Sequence, residues 1–362
     1  MTTKYVTISQ TPGLPGKVYY PLVLRSAPIP PLHGNSLLIK ISAAALNHRD
    51  HFLRQHLYPG TTFGVPLLAD GAGIVVDIGT DVSPDWLNRR VIIYPSMGWS
   101  SSPYGPEEGG YVRVMGGTRY NARGTLTEYM VIEQDGVELV PPHLSDVEAA
   151  ALPVTGLTAW RALMTKAGEG MCGPGSQILI TGIGGGVALM ALLFAVHMGA
   201  DVWVTSSSRE KLDMTMRLGA KGGVNYTKEH WEDRLLDLLP ERREFDAVID
   251  GAGGDIVHRA VTLLKAGGRV VTYGMTRAPS LSVPMRVILK NLDICGKALG
   301  SRREFAQMVD FVRKKRIVPV ISRVVNGIEN LHEIEELFDM LRSGSQLGKL
   351  VIKLNSEEQC RL

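Results

Sequence analysis

Apolar positions along the 362-residue chain follow two rhythms, and the change falls near Val154. Before it, residues 18–24, 36–45, 73–78 and 90–94 are short apolar, β-branched segments separated by turn residues, with Pro28, Pro30 and Pro31 as breakers ahead of the second. No long helical period occurs there, so a mostly β domain is expected. Residues 96–124 are dense in Gly, Ser, Pro and Tyr, which favours an irregular loop and makes them a candidate lid or pocket wall. After Val154, residues 177–181, 201–205, 245–250 and 269–273 read as buried-type strands. Residues 187–198, 209–218 and 255–264 read as helices between them, the first two closed by Gly199 and Gly219. Such alternation predicts a parallel sheet with crossover helices on both faces. An edge strand near 291–296, helices at 304–315 and 331–341, and a strand at 349–354 complete the pattern.

Thr181-Gly182-Ile183-Gly184-Gly185-Gly186-Val187-Ala188 stands where the first of these strands hands over to a helix, the context that a dinucleotide fingerprint requires. Glycines let the backbone turn and approach a pyrophosphate, while the helix N-terminus offers free N–H groups and partial positive charge. The expected fold is therefore α/β, a doubly wound parallel sheet of Rossmann type beside a mostly β domain. The end of the second strand selects the nucleotide, because an NAD site places Asp or Glu there for the ribose 2′-OH. Here Thr205 is followed by Ser206, Ser207, Ser208, Arg209, Glu210 and Lys211: hydroxyls and then cations, with no carboxylate at the strand end. That set suits a 2′-phosphate, so NADP(H) is the expected cofactor. One serine is also expected to cap the following helix. Gly251, Gly274 and Met275 fall at the carboxyl edge of the later strands, where ligands bind in open α/β sheets.

Composition narrows the partners. Lys plus Arg 39 against Asp plus Glu 36 leaves a charge of +3, too small for a chain built to neutralise a phosphate backbone. No apolar run reaches the ~18 residues of a membrane span, and the N-terminus has no signal-peptide core. Neither nucleic acid nor membrane is expected as a partner. A cytoplasmic location is expected, with Cys360-Arg361-Leu362 as a loose form of a peroxisomal address. Arg313 to Arg316 is a basic cluster that reads as the exposed last turn of a helix. The three cysteines, Cys172, Cys295 and Cys360, are odd in number and widely spaced, so they imply neither a disulfide framework nor a thiolate metal cluster.

Over nearly its whole length the chain resembles the medium-chain dehydrogenase/reductase superfamily. The resemblance is carried by Ala45-Leu46-Asn47-His48-Arg49-Asp50, by the stretches from Pro66 to Val75 and from Ala150 to Trp160, and by Gly348-Lys349-Leu350-Val351-Ile352. Asn47 stands where zinc alcohol dehydrogenases have their first catalytic-zinc cysteine, and Ala69 and Asp70 stand where they have histidine and glutamate. These residues and the small-x-x-Gly-x-x-Ala form of the glycine motif resemble the zinc-free quinone oxidoreductase branch. So do Lys211 and Tyr226, which in such relatives lie near the adenosine phosphate. Leu68 departs from it, since many quinone reductases have Gly-x-Asp there. The resemblance implies a GroES-like catalytic domain over residues 1–152 and 298–362 and a Rossmann NADP-binding domain over 153–297. It also implies a homodimer paired through the edge strand near 291–296. No metal is expected, because His48, His51 and His56 match no zinc-ligand spacing and no cysteine precedes Cys172.

Without a Lewis acid to stabilise an alkoxide, the expected small-molecule substrate is an electrophile that delocalises its own charge, a quinone or an α,β-unsaturated carbonyl reduced by hydride from NADPH. The expected catalytic residues are Asn47, as donor to the substrate carbonyl, Asp50, paired with Arg49, and Tyr58, with Tyr94 and Tyr104 as further candidate proton donors. By resemblance, Thr155 lies near the nicotinamide. Gly182, Gly185, Gly186, Val187, Ser206, Ser207, Ser208, Arg209, Lys211, Tyr226, Gly251, Gly274 and Met275 complete the expected cofactor site. Two readings stay open beside this one: a zinc-type alcohol dehydrogenase, and a non-catalytic NADPH-binding regulatory protein.

Overall fold

The computed structural model describes residues 2–276, 278 and 280–354. The chain forms two compact units that divide at Thr155/Gly156 and at Gly300/Ser301. Along the chain the strands are Thr2–Ile8 (β1), Leu22–Pro28 (β2), Ser36–Ala45 (β3), Asp70–Ile78 (β4), Arg90–Ile93 (β5), Tyr129–Glu133 (β6), Val137–Leu139 (β7), Gln177–Ile180 (β8), Asp201–Ser206 (β9), Gly222–Asn225 (β10), Phe245–Asp250 (β11), Leu264–Thr272 (β12), Asp293–Gly296 (β13), Ile321–Asn326 (β14) and Lys349–Lys353 (β15). The α-helices are His48–Arg54 (α1), Asp146–Ala150 (α2), Pro153–Trp160 (α3), Gly186–Met198 (α4), Arg209–Arg217 (α5), Trp231–Leu238 (α6), Ile256–Leu263 (α7), Arg286–Leu289 (α8), Arg302–Lys315 (α9) and Leu331–Ser343 (α10).

The discontinuous unit is built on a sheet in the order β14-β15-β3-β4-β5-β7, with β6 also paired to β3, and a separate antiparallel pair of β1 and β2. β3 is buried at every position but Lys40, which explains why its sequence reads as a nearly unbroken apolar run. Residues 18–24 had suggested a strand ending before Pro28, yet β2 spans Leu22–Pro28 and includes that proline. β2 pairs only with β1, and a proline at the end of an edge strand removes no ladder hydrogen bond. Register then sets the site. Ala45 on β3 pairs with Asp70 on β4 and with Val351 on β15, so continuing the antiparallel β3–β15 register by two residues brings Lys349 opposite Asn47.

The continuous unit is an all-parallel sheet in the order β10-β9-β8-β11-β12-β13. Strand order reverses between β8 and β11, the switch point where open α/β sheets bind ligands beyond the strand ends. Its core packs Leu179, Phe245, Val248, Val257, Leu264 and Val270. α4 is buried from Ala188 to Ala195, as expected for a helix that is apolar nearly all round.

Candidate functional site

The expected site residues fall in both units, and each unit is taken by itself. In the continuous unit, β8 ends at Ile180 and the chain turns through Gly182 (φ +60°) and Gly184 (φ +138°) into α4. A Cβ on Gly184 would lie 3.0 Å from Lys211 Cδ and 3.2 Å from Lys211 Nζ, so the lysine lies along the glycine turn, and the positive φ is what favours glycine there. Beside Gly182 and Gly185 there is open space within 4 Å. Gly185 caps α4 without a side chain, so the first N–H groups of α4 have no side-chain cap acceptor. The Gly182 N–H donates to Thr205 Oγ1 at 3.1 Å, tying the turn to the end of β9.

At the end of β9, Ser206 is buried and its Oγ accepts the Ser208 N–H at 3.1 Å, while Ser208 Oγ accepts the Lys211 N–H at 3.3 Å and caps α5. Ser207 is exposed. Arg209 is exposed too, and its Nε donates to Asp213 one turn along at 2.8 Å. Tyr226 packs half-buried against the core. Gly251 lies against Tyr273, whose ring a Cβ would strike at 2.4 Å; Gly274 is half-buried and Met275 exposed. Asp250, which the sequence did not single out, braces the switch point by accepting from Thr181 Oγ1 on the β8 side and from the Gly253 N–H at 2.8 Å. Burial raises its carboxyl above the ordinary range.

In the discontinuous unit, Asn47 precedes α1 and is buried. Its Nδ2 donates to Asp70 Oδ2 at 2.8 Å, and its Oδ1 accepts from Lys349 Nζ at 2.9 Å. Lys349 Nζ also donates to Asp70 Oδ2 at 2.7 Å and to the Leu46 carbonyl at 2.6 Å. Asp70 Oδ1 accepts the Val154 N–H at 2.7 Å, at the first turn of α3. Lys349 is 4% exposed and Asp70 not at all. Beside them Asp50 accepts the Asn47 backbone N–H at 2.8 Å and pairs with Arg49 at 3.0 Å; burial outweighs Arg49 and pushes its carboxyl up to about 6. The cluster thus holds two cations and two carboxyl groups, a balance that makes burial of each charge tolerable. Arg49 also donates to the Gly116 carbonyl at 2.9 Å and lies 4.5 Å from the Tyr58 ring centroid, while its Nε is buried with no acceptor among the described residues. A buried N–H in that state is stabilised by any acceptor that binds against it.

The other expected residues are held elsewhere. Thr155 is buried with its hydroxyl donating to the Ala151 carbonyl at 2.9 Å. Tyr94 is buried, its hydroxyl donating to the Trp99 carbonyl at 3.3 Å and its acidity lowered by burial, whereas Tyr104 is 95% exposed. Leu68, at the position of the glycine in Gly-x-Asp, has φ +65°, so the backbone keeps the left-handed conformation that favours glycine although the side chain is leucine. With Asp250, the residue missed by sequence reasoning is Lys349, whose signal was a lysine opening the apolar closing strand straight after Gly348.

A zinc ion does not fit this cluster. Ala69 offers no ligand, Asn47 offers an amide, and Asn47 Oδ1 and Asp70 Oδ2 already face an ammonium. The nearby histidines are engaged with aromatic groups: His51 with the Tyr19 hydroxyl at 3.4 Å, His56 with that of Tyr20 at 2.8 Å, and His48 edge-on to Phe52. Among the described residues no group of three or more His, Cys, Asp or Glu side chains could hold a metal. Cys172 is buried, its thiol pushed up to about 12 by burial, and Cys295 is half-buried on β13. Cys360 and the terminal tripeptide lie outside the described residues. No described helix is long and apolar enough to cross a membrane.

Residues 33–142 match the family described as alcohol dehydrogenase GroES-like domain, and residues 186–314 match that described as zinc-binding dehydrogenase. The chain is 49% identical to a zinc-type alcohol dehydrogenase-like protein, YogA, of Leptosphaeria maculans, over 94% of this chain and 96% of that protein. It is 31% identical to a 2-methylene-furan-3-one reductase of Solanum lycopersicum, over 90% of this chain and 73% of that one. A solved structure, a putative alcohol dehydrogenase from Sinorhizobium meliloti 1021, superposes with a TM-score of 0.85 at 29% identity, covering 98% of this chain and 99% of its own.

Proposed function

Because the chain belongs to the medium-chain dehydrogenase/reductase superfamily of oxidoreductases, we propose that it is an NADPH-dependent, zinc-free reductase of activated double bonds, acting on quinones or α,β-unsaturated carbonyls. The observation that carries the reading is the ammonium of Lys349 against Asn47 and Asp70, with Asn47 and Ala69 at the stations that resemble a zinc dehydrogenase's cysteine and histidine ligands. An unactivated alcohol needs a Lewis acid at its oxygen, whereas an enone or quinone spreads the developing charge and needs only hydrogen-bond donors. The reductase from Solanum lycopersicum bears a name of that substrate class, which supports the reading.

NADPH, when bound, supplies the hydride. The glycine turn and the N-terminus of α4 would hold its pyrophosphate, and Lys211 with the hydroxyls of Ser206 and Ser207 would meet the 2′-phosphate. Asn47 donates its remaining amide N–H to the substrate carbonyl oxygen. Arg49 and Asp50 shape the surroundings of that donor and hold Tyr58 beneath the guanidinium. The decisive experiment is a screen of NADPH oxidation against quinones, enones and enals beside a metal assay of the purified protein. Turnover without stoichiometric metal is expected; one tightly bound zinc per chain, with oxidation of simple alcohols, would sink the proposal.

Two further outcomes belong to this reading. Ser206→Asp combined with Lys211→Ala should shift the kcat/KM preference from NADPH towards NADH by about 10–100-fold, the worth of one charge-assisted hydrogen bond. An unchanged ratio would place the phosphate pocket elsewhere. We also propose a homodimer, since β13 is a sheet edge and Val283, Met285, Ile288 and Leu289 beside it are each more than half exposed. Ile288→Lys with Leu289→Lys should then halve the mass measured by light scattering, and a wild-type monomer would remove the proposal.

A further inference from the structure

We propose that Lys349 and Asp70 are a positioning pair that locks the Asn47 side-chain amide so that it presents an N–H, and not its carbonyl, to the substrate oxygen. The inference rests on the reading of Asn47 as the donor and adds what fixes its direction.

The two ends of an amide are nearly isosteric, and what tells them apart is the hydrogen bonds that each can make. Asn47 Oδ1 faces the Lys349 ammonium at 2.9 Å, and Nδ2 faces Asp70 Oδ2 at 2.8 Å. Rotating the amide by 180° would set its NH2 against the ammonium and its carbonyl against the carboxylate, turning both attractions into repulsions. Because neither Lys349 nor Asp70 is more than 4% exposed, water does little to screen that penalty.

Counting donors shows that the pair serves Asn47 and not a ligand. Lys349 Nζ has three N–H groups and three acceptors, the Leu46 carbonyl, Asn47 Oδ1 and Asp70 Oδ2. Asp70 Oδ2 takes two donors, and Oδ1 takes the Val154 N–H. Asn47 has two amide N–H groups and gives one to Asp70. The N–H left over is thus the only one of these groups whose partner is not already named. Of the other charged groups of the cluster, Asp50 takes Arg49 and the Asn47 backbone N–H, and Arg49 also takes the Gly116 carbonyl, so neither bonds to the Asn47 side-chain amide.

The test uses the full-length protein carrying Lys349→Met with Asp70→Leu, which removes both charges together so that no ion is left buried alone. Two readouts are taken: kcat for the best substrate of the screen with NADPH affinity by fluorescence titration, and solvent exchange of the Asn47 side-chain amide protons by NMR of protein labelled at asparagine. The expected result is a kcat about 10–100-fold lower, the scale of a misplaced catalytic group, with NADPH affinity within about twofold and a protected amide signal that becomes rapidly exchanging. A kcat within about twofold of wild type, or an amide as protected as before, overturns the proposal. Should the double variant fail to fold, Lys349→Arg carries the same readouts, because a planar guanidinium cannot reproduce three converging N–H bonds from one atom. If the wild type turns over no quinone, enone or enal, the assignment of Asn47 as donor falls, while the exchange readout still decides whether the pair fixes the amide.

Discussion

An Asp70→Ala chain is expected to be about 4 kcal/mol less stable, with a melting temperature roughly 10 °C lower, because Lys349 is left charged in the interior without its carboxylate. The substitution also strips an acceptor from the Asn47 amide and from the Val154 N–H at the start of α3. Thermal melts of the variant beside wild type measure the deficit; a fall of under about 2 °C would mean that the ammonium is not held as a buried charge.

The second large effect is catalytic. Asn47→Ala should lower kcat by about 10²–10³-fold, the usual loss when one oxyanion donor is removed, with NADPH affinity unchanged because the glycine turn lies in the other unit. The substitution also strips one partner each from Asp70 and Lys349, so a melt must accompany the kinetics. A loss of less than about threefold would mean that another group meets the substrate oxygen.

Legibility in the sequence followed the range of the interactions. β3 and β11 have the bounds their apolar runs predicted, and α4 starts one residue earlier than expected, because each is a local pattern with glycine or polar punctuation at its ends. The expected serine cap of α5 is Ser208, again a contact within three residues. What escaped was short or distant. α1 has seven residues, several of them charged or histidine but buried, so no amphipathic period marks it. β10 is Gly-Gly-Val-Asn, a composition that argues against a strand, and it forms because β9 offers it an edge. The Asn47 cluster was legible as stations, Asn47, Ala69 and Asp70, but not as a network. Lys349 meets Asp70 across 279 residues, and no spacing rule reaches that far.

That separation bears on how the protein is made. The parallel-sheet unit is one continuous segment, residues 156–300, and can fold as soon as it has been synthesised. The other unit cannot neutralise Asp70 until β15 has been added, which at ~5–20 residues per second is roughly 15–60 s after Asp70 itself is polymerised. During that interval the first strands are synthesised around a carboxylate whose counter-ion does not yet exist. β15 therefore acts as a latch: the β-rich unit seals only after the whole parallel-sheet unit has been synthesised.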